Sequence, residues 1–300
     1  MDLTYILQQL LNGLQLGFVY ALIALGYTMV YGIVRLINFA HGDVFMVGAF
    51  ISFFAVGSLG LTGFAGFIET MVLAMIGCAA LGVTIERLAY RPLRRAPRIA
   101  ALITAIGVSI FLEYFGSLKF VFGPNYRSFP RPFEVQTWDI AGLKISSIQL
   151  IIIGVALILV IALQLFVQRT KTGMAMRAVA FDHDTARLMG INVDIIISVT
   201  FAIGSALAGA GGLLYAIAYP TINPFMGIMP GLKAFVAAVL GGIGSLPGAF
   251  LGGLLVGEAE TMTAAYLSST YKDAIAFVIL IVILLVKPSG LLGRRQVEKV

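Results

Sequence analysis

The chain has 300 residues, of which 60% are hydrophobic and only 11% are charged, and its formal net charge is +6. An ordinary soluble domain carries about 25% charged residues, so this composition excludes a protein that faces water on all sides. The basic residues lie in short loops between apolar runs, which is typical of proteins embedded in a lipid bilayer and argues against a nucleic-acid partner.

Apolar segments follow one another along the chain at lengths suited to crossing a membrane, since a helix needs about 20 apolar residues to span about 30 Å of hydrocarbon. The predicted spans are 5–33, 39–59, 64–85, 99–122, 145–166 and 195–218, then an interrupted segment over 232–256 and a last span with its core at 274–286. The sequence therefore predicts an all-α, polytopic integral membrane protein with about eight membrane segments, built as a single transmembrane domain over residues 1–300.

Basic clusters predict the orientation of the chain, because loops rich in Lys and Arg stay on the cytoplasmic side. Three clusters are formed by Arg87, Arg91, Arg94, Arg95 and Arg98; by Arg169, Lys171, Arg177 and Arg187; and by Lys287, Arg294, Arg295 and Lys299. These loops and the C-terminus are expected in the cytoplasm, and the loop over 123–144 is expected outside. The N-terminus lies outside if three full spans precede Arg87, and inside if one of them is re-entrant.

The interrupted segment contains a glycine-rich break, with the sequence Gly-Gly-Ile-Gly-Ser-Leu-Pro-Gly over 241–248. Proline and closely spaced glycines both weaken a helix. Because the basic clusters before and after this part of the chain face the same side, the segment either enters and leaves on the outer side or splits into two crossings. We predict two half-helices that meet at a non-helical turn, which is tolerated at membrane depth only inside protein or beside a wet cavity.

The N-terminal half has a possible counterpart at 35–43, where Arg-Leu-Ile-Asn-Phe-Ala-His-Gly-Asp separates two apolar runs. Interrupted segments in corresponding halves point to a transport site. An ordinary interfacial loop fits the same residues.

Motifs for catalysis are absent from the sequence. It has no Gly-x-x-x-x-Gly-Lys-Ser/Thr loop, no His-Glu-x-x-His and no Gly-x-Ser-x-Gly. Two histidines and one cysteine supply neither a His-rich metal site nor an intramolecular disulfide. The sequence therefore predicts no catalytic residue, no metal and no cofactor bound by this chain. Glu258 and Glu260 are expected to be interfacial acids facing water rather than ion-coupling groups.

The cytoplasmic loop over 169–194 contains two short stretches that favour helix, 174–180 and 185–189. Asp182 or Asp184 can cap the second helix, and Gly190 can end it. Its apolar residues are expected to be exposed: Met174, Met176, Phe181, Leu188 and Met189. Exposed apolar residues on a short rigid element suggest docking to another protein; an amphipathic loop lying on the membrane is the alternative.

A family resemblance starts from this loop. Asp184-Thr185-Ala186-x-x-x-Gly190 is similar to the Glu-Ala-Ala-x-x-x-Gly spacing of the coupling loop in permeases of ATP-binding-cassette (ABC) importers, with Asp for Glu and Thr for the first Ala. The runs 32–43, 178–180, 187–192 and 233–245 resemble the permease subunits of the high-affinity branched-chain amino-acid importers. The resemblance covers nearly the whole chain.

The resemblance implies an ABC importer permease fold in a bacterial inner membrane. It also implies four partners: a second homologous permease in a heterodimer, two cytoplasmic ATPase subunits that bind ATP and Mg, and a periplasmic amino-acid-binding protein. Coupling to the ATPases is expected through Arg177, Phe181, Asp182, Asp184, Thr185, Ala186, Arg187, Leu188 and Gly190.

A substrate pathway is expected at Asn38, His41, Gly42 and Asp43 and at the break residues Gly241, Gly242, Gly244, Ser245 and Pro247. An equal alternative for Asp43 is a structural tether, in which it pairs with Arg35 or His41. A zwitterionic amino acid needs hydrogen-bond donors for its carboxylate and acceptors for its ammonium group, and half-helix termini and opened carbonyls provide both. Two other functions stay open on the residues alone. One is a permease for urea or short amides, and the other is an ion-coupled secondary amino-acid carrier.

Overall fold

The fold is taken from a computed structural model, which describes residues 3–94 and 96–293. Arg95, Arg294, Arg295 and Lys299, which the sequence assigns to the cytoplasmic side, lie outside the described residues.

Helices dominate the described chain. They are α1 (Leu3–Val34), α2 (His41–Ser58), α3 (Gly63–Ile85), α4 (Arg98–Gly116), α5 (Ser147–Arg169), α6 (Lys171–Phe181), α7 (His183–Leu188), α8 (Val193–Ala218), α9 (Ile228–Gly241), α10 (Leu246–Tyr266) and α11 (Lys272–Val286). A π-helical turn (Glu86–Tyr90) and a short 3-10 turn (Arg91–Leu93) extend α3. The strands are β1 (Arg127–Ser128), β2 (Thr137–Ile140), β3 (Leu143–Ser146) and β4 (Thr221–Ile222), which pair antiparallel as β1–β4 and β2–β3.

Several helices begin at residues of the types that are preferred as N-caps. Ser146 begins α5 with a capping box, in which its hydroxyl accepts from the Gln149 amide and its own amide donates to the Gln149 side chain. Asn192 and Ser245 cap α8 and α10 in the same way, each accepting from the amide three residues on.

The helices run between two ends of one bundle, which we call the hairpin end and the arginine end. At the hairpin end, the start of α1 is tied to the β2–β3 hairpin, because Gln8 Nε2 donates to the Lys144 carbonyl over 3.1 Å. At the arginine end, the Leu291 amide donates to the Leu240 carbonyl over 2.8 Å, and Arg91 pairs with Asp194 over 2.9 Å. The start of α1 therefore shares the hairpin end with the loop that the sequence assigns to the outside.

Close packing of glycine-bearing faces holds the centre of the bundle together. Gly13 and Gly17 of α1 lie against Glu258 and Leu254 of α10, on the face of α10 that also carries Gly253. Small residues at such contacts let helix backbones approach closely, which is how helices associate in a bilayer.

The prediction of a multi-pass, all-α membrane protein is confirmed. Among the described residues, six helices are long and apolar enough to cross a membrane: α1, α2, α3 with its extension, α4, α5 and α8. The shorter or less apolar helices α9, α10 and α11 complete the bundle.

The predicted break between two helices is confirmed, but three details of the prediction are wrong. The non-helical turn is Gly242–Ser245, and Pro247 lies in the first turn of α10, where its missing N–H costs nothing. With 21 residues, α10 is a full-length helix and not a half-helix. The turn lies at the arginine end, where the Leu292 amide donates to the Gly241 carbonyl, and not in the middle of the bundle. The segment is thus split into two crossings.

Candidate functional site

The polar segment 35–43 runs from an exposed Arg35 into the interior of the bundle. After α1, residues 35–40 are non-helical, and α2 begins at His41. Asn38, His41 and Asp43 are 3%, 1% and 2% exposed. His41 packs against Gly26, which lies eight residues, or about 12 Å, before the end of α1. The alternative of an ordinary interfacial loop is therefore wrong.

Two helix N-termini meet inside the bundle at this segment. Gly42 in the first turn of α2 lies against Gly227 and Gly231 at the start of α9, so closely that a Cβ on Gly42 would sit 2.6 Å from the Gly227 carbonyl oxygen. Only glycines permit this approach. Helix N-termini present unpaired N–H groups and a positive dipole end, so their meeting point favours an anionic group.

A cavity of about 160 Å³ opens beside this contact, between α2, α4 and α9. Its polar lining includes Tyr27, Asp43, Ser109 and Glu113. The Ser109 hydroxyl donates to the Asp43 carboxylate. Glu113 lies four residues beyond Ser109, and therefore on the same face of α4. The cavity thus combines two carboxyl groups with the positive ends of two helices.

The other predicted pathway residues of this segment lie beside the cavity rather than in its lining. Asn38 Oδ1 accepts a 2.9 Å hydrogen bond from the Tyr90 hydroxyl. The His41 ring is edge-on to Tyr27, with 4.8 Å between centroids, and its Nε2 has no hydrogen-bond partner among the described residues. Both residues are buried and are next in sequence to the lining residues Phe39 and Gly42.

The predicted break residues lie elsewhere. Gly241, Gly242, Gly244, Ser245 and Pro247 are at the arginine end, and the ten residues from Gly231 to Gly241 correspond to about 15 Å of helix. The segment that meets 35–43 is therefore the start of α9, and not the break at 241–248.

Two of the cavity residues, Ser109 and Glu113, were not predicted from the sequence. Glu113 carried a signal, since it is an acid inside the apolar segment 99–122. Ser109 carried none, because its role depends on a neighbour 66 residues away in sequence.

A buried ion cluster between α1, α9, α10 and α11 was also missed. Lys233 Nζ lies 2.6 Å from Glu260 Oε1 and 2.5 Å from Asp273 Oδ1, and the Tyr20 hydroxyl donates to Glu260 Oε2 over 2.8 Å. The Lys233 and Glu260 side chains are 4% and 7% exposed. The expectation that Glu260 faces water is wrong, because Lys233 and Tyr20 satisfy its charge inside the bundle.

The predicted helical elbow at 169–194 is present as α6 and α7. The Asp182 carboxylate, rather than that of Asp184, accepts from the Thr185 amide over 2.7 Å and caps α7, and this hydrogen bond lowers the pKa of Asp182. Gly190 follows the helix with φ +82°, a left-handed conformation that favours glycine. The tight turn fixes the direction in which α8 leaves the elbow.

The elbow presents an apolar tip. Phe181, Leu188 and Met189 are 88%, 88% and 78% exposed, as predicted. The expectation that Met176 is exposed is wrong, because the inner face of α6 packs on α1 and α8 and leaves it 3% exposed. The neighbouring Ala186 is also buried.

The predicted arginines of the elbow are held by contacts within the chain. Arg177 donates to the Val167 carbonyl near the end of α5, and Arg187 pairs with Asp184 over 3.6 Å. His183 Nε2 lies 2.8 Å from the Ile33 carbonyl oxygen at the end of α1. The elbow is therefore attached to the stretch of chain that leads into the polar segment 35–43.

Comparisons with known proteins agree on one family. The family model described as branched-chain amino acid transport system / permease component matches residues 9–284. LivH, a high-affinity branched-chain amino acid transport system permease protein of Escherichia coli (strain K12), is 47% identical over 309 residues, covering 99% of this chain and 98% of its own.

Two further relatives carry corresponding descriptions. BraD, a permease protein of Pseudomonas aeruginosa, is 45% identical over 100% of this chain and 99% of its own. LivM, a high-affinity branched-chain amino acid transport system permease protein of Escherichia coli (strain K12), is 25% identical over 92% of this chain and 68% of its own.

Proposed function

The chain belongs to the family of branched-chain amino acid transport permeases, and we propose that it passes branched-chain amino acids across the bacterial inner membrane as one permease subunit of an ATP-driven importer. The structural observation that carries the proposal is the contact between His183 and the Ile33 carbonyl, which joins the elbow to the chain segment entering the cavity.

The cavity suits a zwitterion with an apolar side chain. The Asp43 and Glu113 carboxyls are placed to accept hydrogen bonds from an ammonium group. The N-termini of α2 and α9 are placed to receive a carboxylate. The apolar lining residues offer contact to a branched side chain; they are Phe39, Ile106, Ile228 and Leu232. Asn38, His41 and the break residues at 241–247 remain proposed parts of the pathway.

The elbow is the proposed contact through which movement of the ATPase subunits is transmitted to this chain. ATP with Mg binds to two partner ATPase subunits, and this chain holds no cofactor of its own. Phe181, Leu188 and Met189 insert into a groove of the ATPase, while Asp182, Thr185, Ala186 and Gly190 keep α7 rigid. Movement of the elbow pulls on the end of α1 through His183 and repositions segment 35–43, so the cavity changes the side to which it opens.

The remaining partners follow from the same proposal. A second, homologous permease pairs with this chain, and the similarity to both LivH and LivM supports a heterodimer. A periplasmic binding protein delivers the amino acid at the hairpin end. The arginine end and the C-terminus face the cytoplasm, in line with the enrichment of Lys and Arg in cytoplasmic loops.

The experiment is reconstitution of the complete complex in liposomes with radiolabelled leucine and the loaded binding protein. Leucine uptake is expected only when ATP is present on the same side of the liposome membrane as the ATPase subunits. Competition by unlabelled isoleucine, and none by urea or acetamide, is expected. Uptake by the isolated chain on an ion gradient would contradict the proposal and assign the chain to the secondary carriers. Competition by urea would assign it to amide transport.

A further inference from the structure

A second and larger cavity lies at the arginine end, away from the proposed substrate cavity. It is a groove of about 340 Å³ between the extended end of α3 and the first three turns of α8. Val83, Val199 and Ala202 form its apolar floor, and Arg87 and Arg91 stand at its polar lip.

The lining of the groove changes from polar to apolar along the bundle axis. On α3 and its extension, Val83, Arg87 and Arg91 succeed one another at four-residue spacing and run toward the arginine end. Helix α8 runs in the opposite direction, with Asp194 near its start and Ala202 two turns later. The polar groups thus gather at the arginine end, and apolar groups follow about 12 Å deeper.

The acidic groups of the groove are already neutralised. Asp194 is held by Arg91 and by Arg94. Arg94 also pairs with the buried Glu86, which in addition accepts a 2.7 Å hydrogen bond from the Ser198 hydroxyl.

Arg87 is exposed and makes no ion pair with any residue in 3–94 or 96–293. The charges of Glu86 and Asp194 cancel those of Arg91 and Arg94. Arg87 therefore leaves one net positive charge at the lip of the groove. The groove is therefore complementary to a negative charge at one end and to hydrocarbon at the other.

We propose that this groove binds an anionic phospholipid. The phosphate lies between Arg87 and Arg91, and one acyl chain runs over Val83, Val199 and Ala202. Basic pockets between membrane helices recognise such headgroups. Leu88 and Ile195 are 76% and 58% exposed at this end of the bundle, which suits a neighbour made of hydrocarbon better than a soluble anion. The inference does not depend on the transported substrate.

The test uses the complete transporter, purified and equilibrated with equal amounts of phosphatidylglycerol and phosphatidylcholine, with retained lipid measured by native mass spectrometry. Retention of phosphatidylglycerol by Arg87→Gln is expected to be about fivefold lower, the effect of one basic residue near an anionic headgroup. Arg131→Gln removes an exposed arginine in the loop at the hairpin end and is expected to leave retention unchanged. Ala202→Phe, which fills the floor and keeps both arginines, is expected to lower retention of phosphatidylglycerol as well.

Three results would overturn the proposal. One is equal retention of phosphatidylglycerol by the unaltered protein and Arg87→Gln. Another is displacement of the bound anion by inorganic phosphate with no effect of Ala202→Phe, which would identify a free-phosphate site. The third is loss of a partner subunit from the Arg87→Gln complex with no lipid bound to either form, which would identify a protein interface.

Discussion

At the residue scale, the cavity depends most on Asp43, since its carboxylate is buried, bonded to Ser109 and adjacent to the meeting helix ends. Asp43→Asn keeps the size of the side chain and removes the charge. We expect the kcat/KM of leucine uptake to fall about tenfold to a hundredfold, as when a charged hydrogen-bond partner is lost. The measurement is initial uptake at matched membrane levels, with Asp139→Asn in the exposed hairpin as the control. Unchanged uptake by Asp43→Asn would remove Asp43 from the pathway.

Lys233 gives a second prediction at this scale, about stability. Lys233→Met leaves Glu260 buried without its cation, and breaking a buried pair costs about 3–5 kcal/mol. We expect a lower thermal unfolding temperature in detergent. Lys119→Met, at an exposed position, serves as the control.

The double variant Lys233→Met with Glu260→Leu tests the cause of that loss. It removes both buried charges and is expected to recover most of the stability. If the double variant is as unstable as the single one, lost packing and not an uncompensated charge explains the effect.

The sequence identified residues that break an apolar pattern, such as Asn38, His41 and Asp43, because polar groups between apolar runs are visible without a fold. It did not identify Ser109 or Lys233 as site residues. The partners of Lys233 lie 27 and 40 residues further along the chain. Which polar groups satisfy one another inside a bundle is decided by tertiary packing.

At the element scale, the contact between α1 and α10 depends on glycines at which any larger side chain would clash with the facing helix. A Cβ on Gly253 would sit 2.5 Å from the Ala21 Cα. We expect Gly253→Leu to reduce the folded yield strongly, since overpacking costs about 1–3 kcal/mol even where side chains can shift. The measurement is the monodisperse fraction after detergent extraction.

Gly107→Leu is the matched control, because Gly107 also lies within a helix but has open space around it. Equal yields from Gly253→Leu and Gly107→Leu would show that α1 and α10 are not in close contact in the membrane.

The elbow gives the second prediction at the element scale. Gly190→Val forces a β-branched residue into a left-handed conformation and strains the turn by about 1–3 kcal/mol. We expect weaker binding of the ATPase subunits and slower ATP-driven uptake. Gly60→Val, at a left-handed glycine at the hairpin end, is the control. Full uptake by Gly190→Val would show that the elbow does not act as a rigid lever.

The ends of helices were predicted correctly where local side chains decide the structure. Examples are the start of α7, which Asp182 caps, and the break that precedes α10. The prediction failed for the length of α10. Glu258 and Glu260 interrupt the apolar pattern of that helix, yet both lie on faces packed against other helices. The contact between α2 and the start of α9 could not be predicted from the sequence, because Gly42 and Gly227 are far apart along the chain.

At the scale of the whole molecule, the structure links its two sites by one path. The path leads from the exposed elbow tip through His183 and Ile33 to segment 35–43, and ends where α2 meets α9 at the cavity. The composition alone predicted a membrane bundle, and the basic clusters predicted its two ends. The link between elbow and cavity required the fold, since it joins residues 150 positions apart.

The most direct test of the account measures ATP hydrolysis and leucine uptake together in liposomes that contain the complete complex, using the double variant Phe181→Ala and Leu188→Ala. Leu88→Ala is the control, because Leu88 is comparably exposed at the arginine end but lies outside the elbow. Exposed apolar anchors at interfaces contribute strongly to binding, so the account predicts that uptake per complex falls about tenfold or more in the double variant and is unchanged in the control. Uptake that remains coupled to hydrolysis at full rate in the double variant would contradict the account.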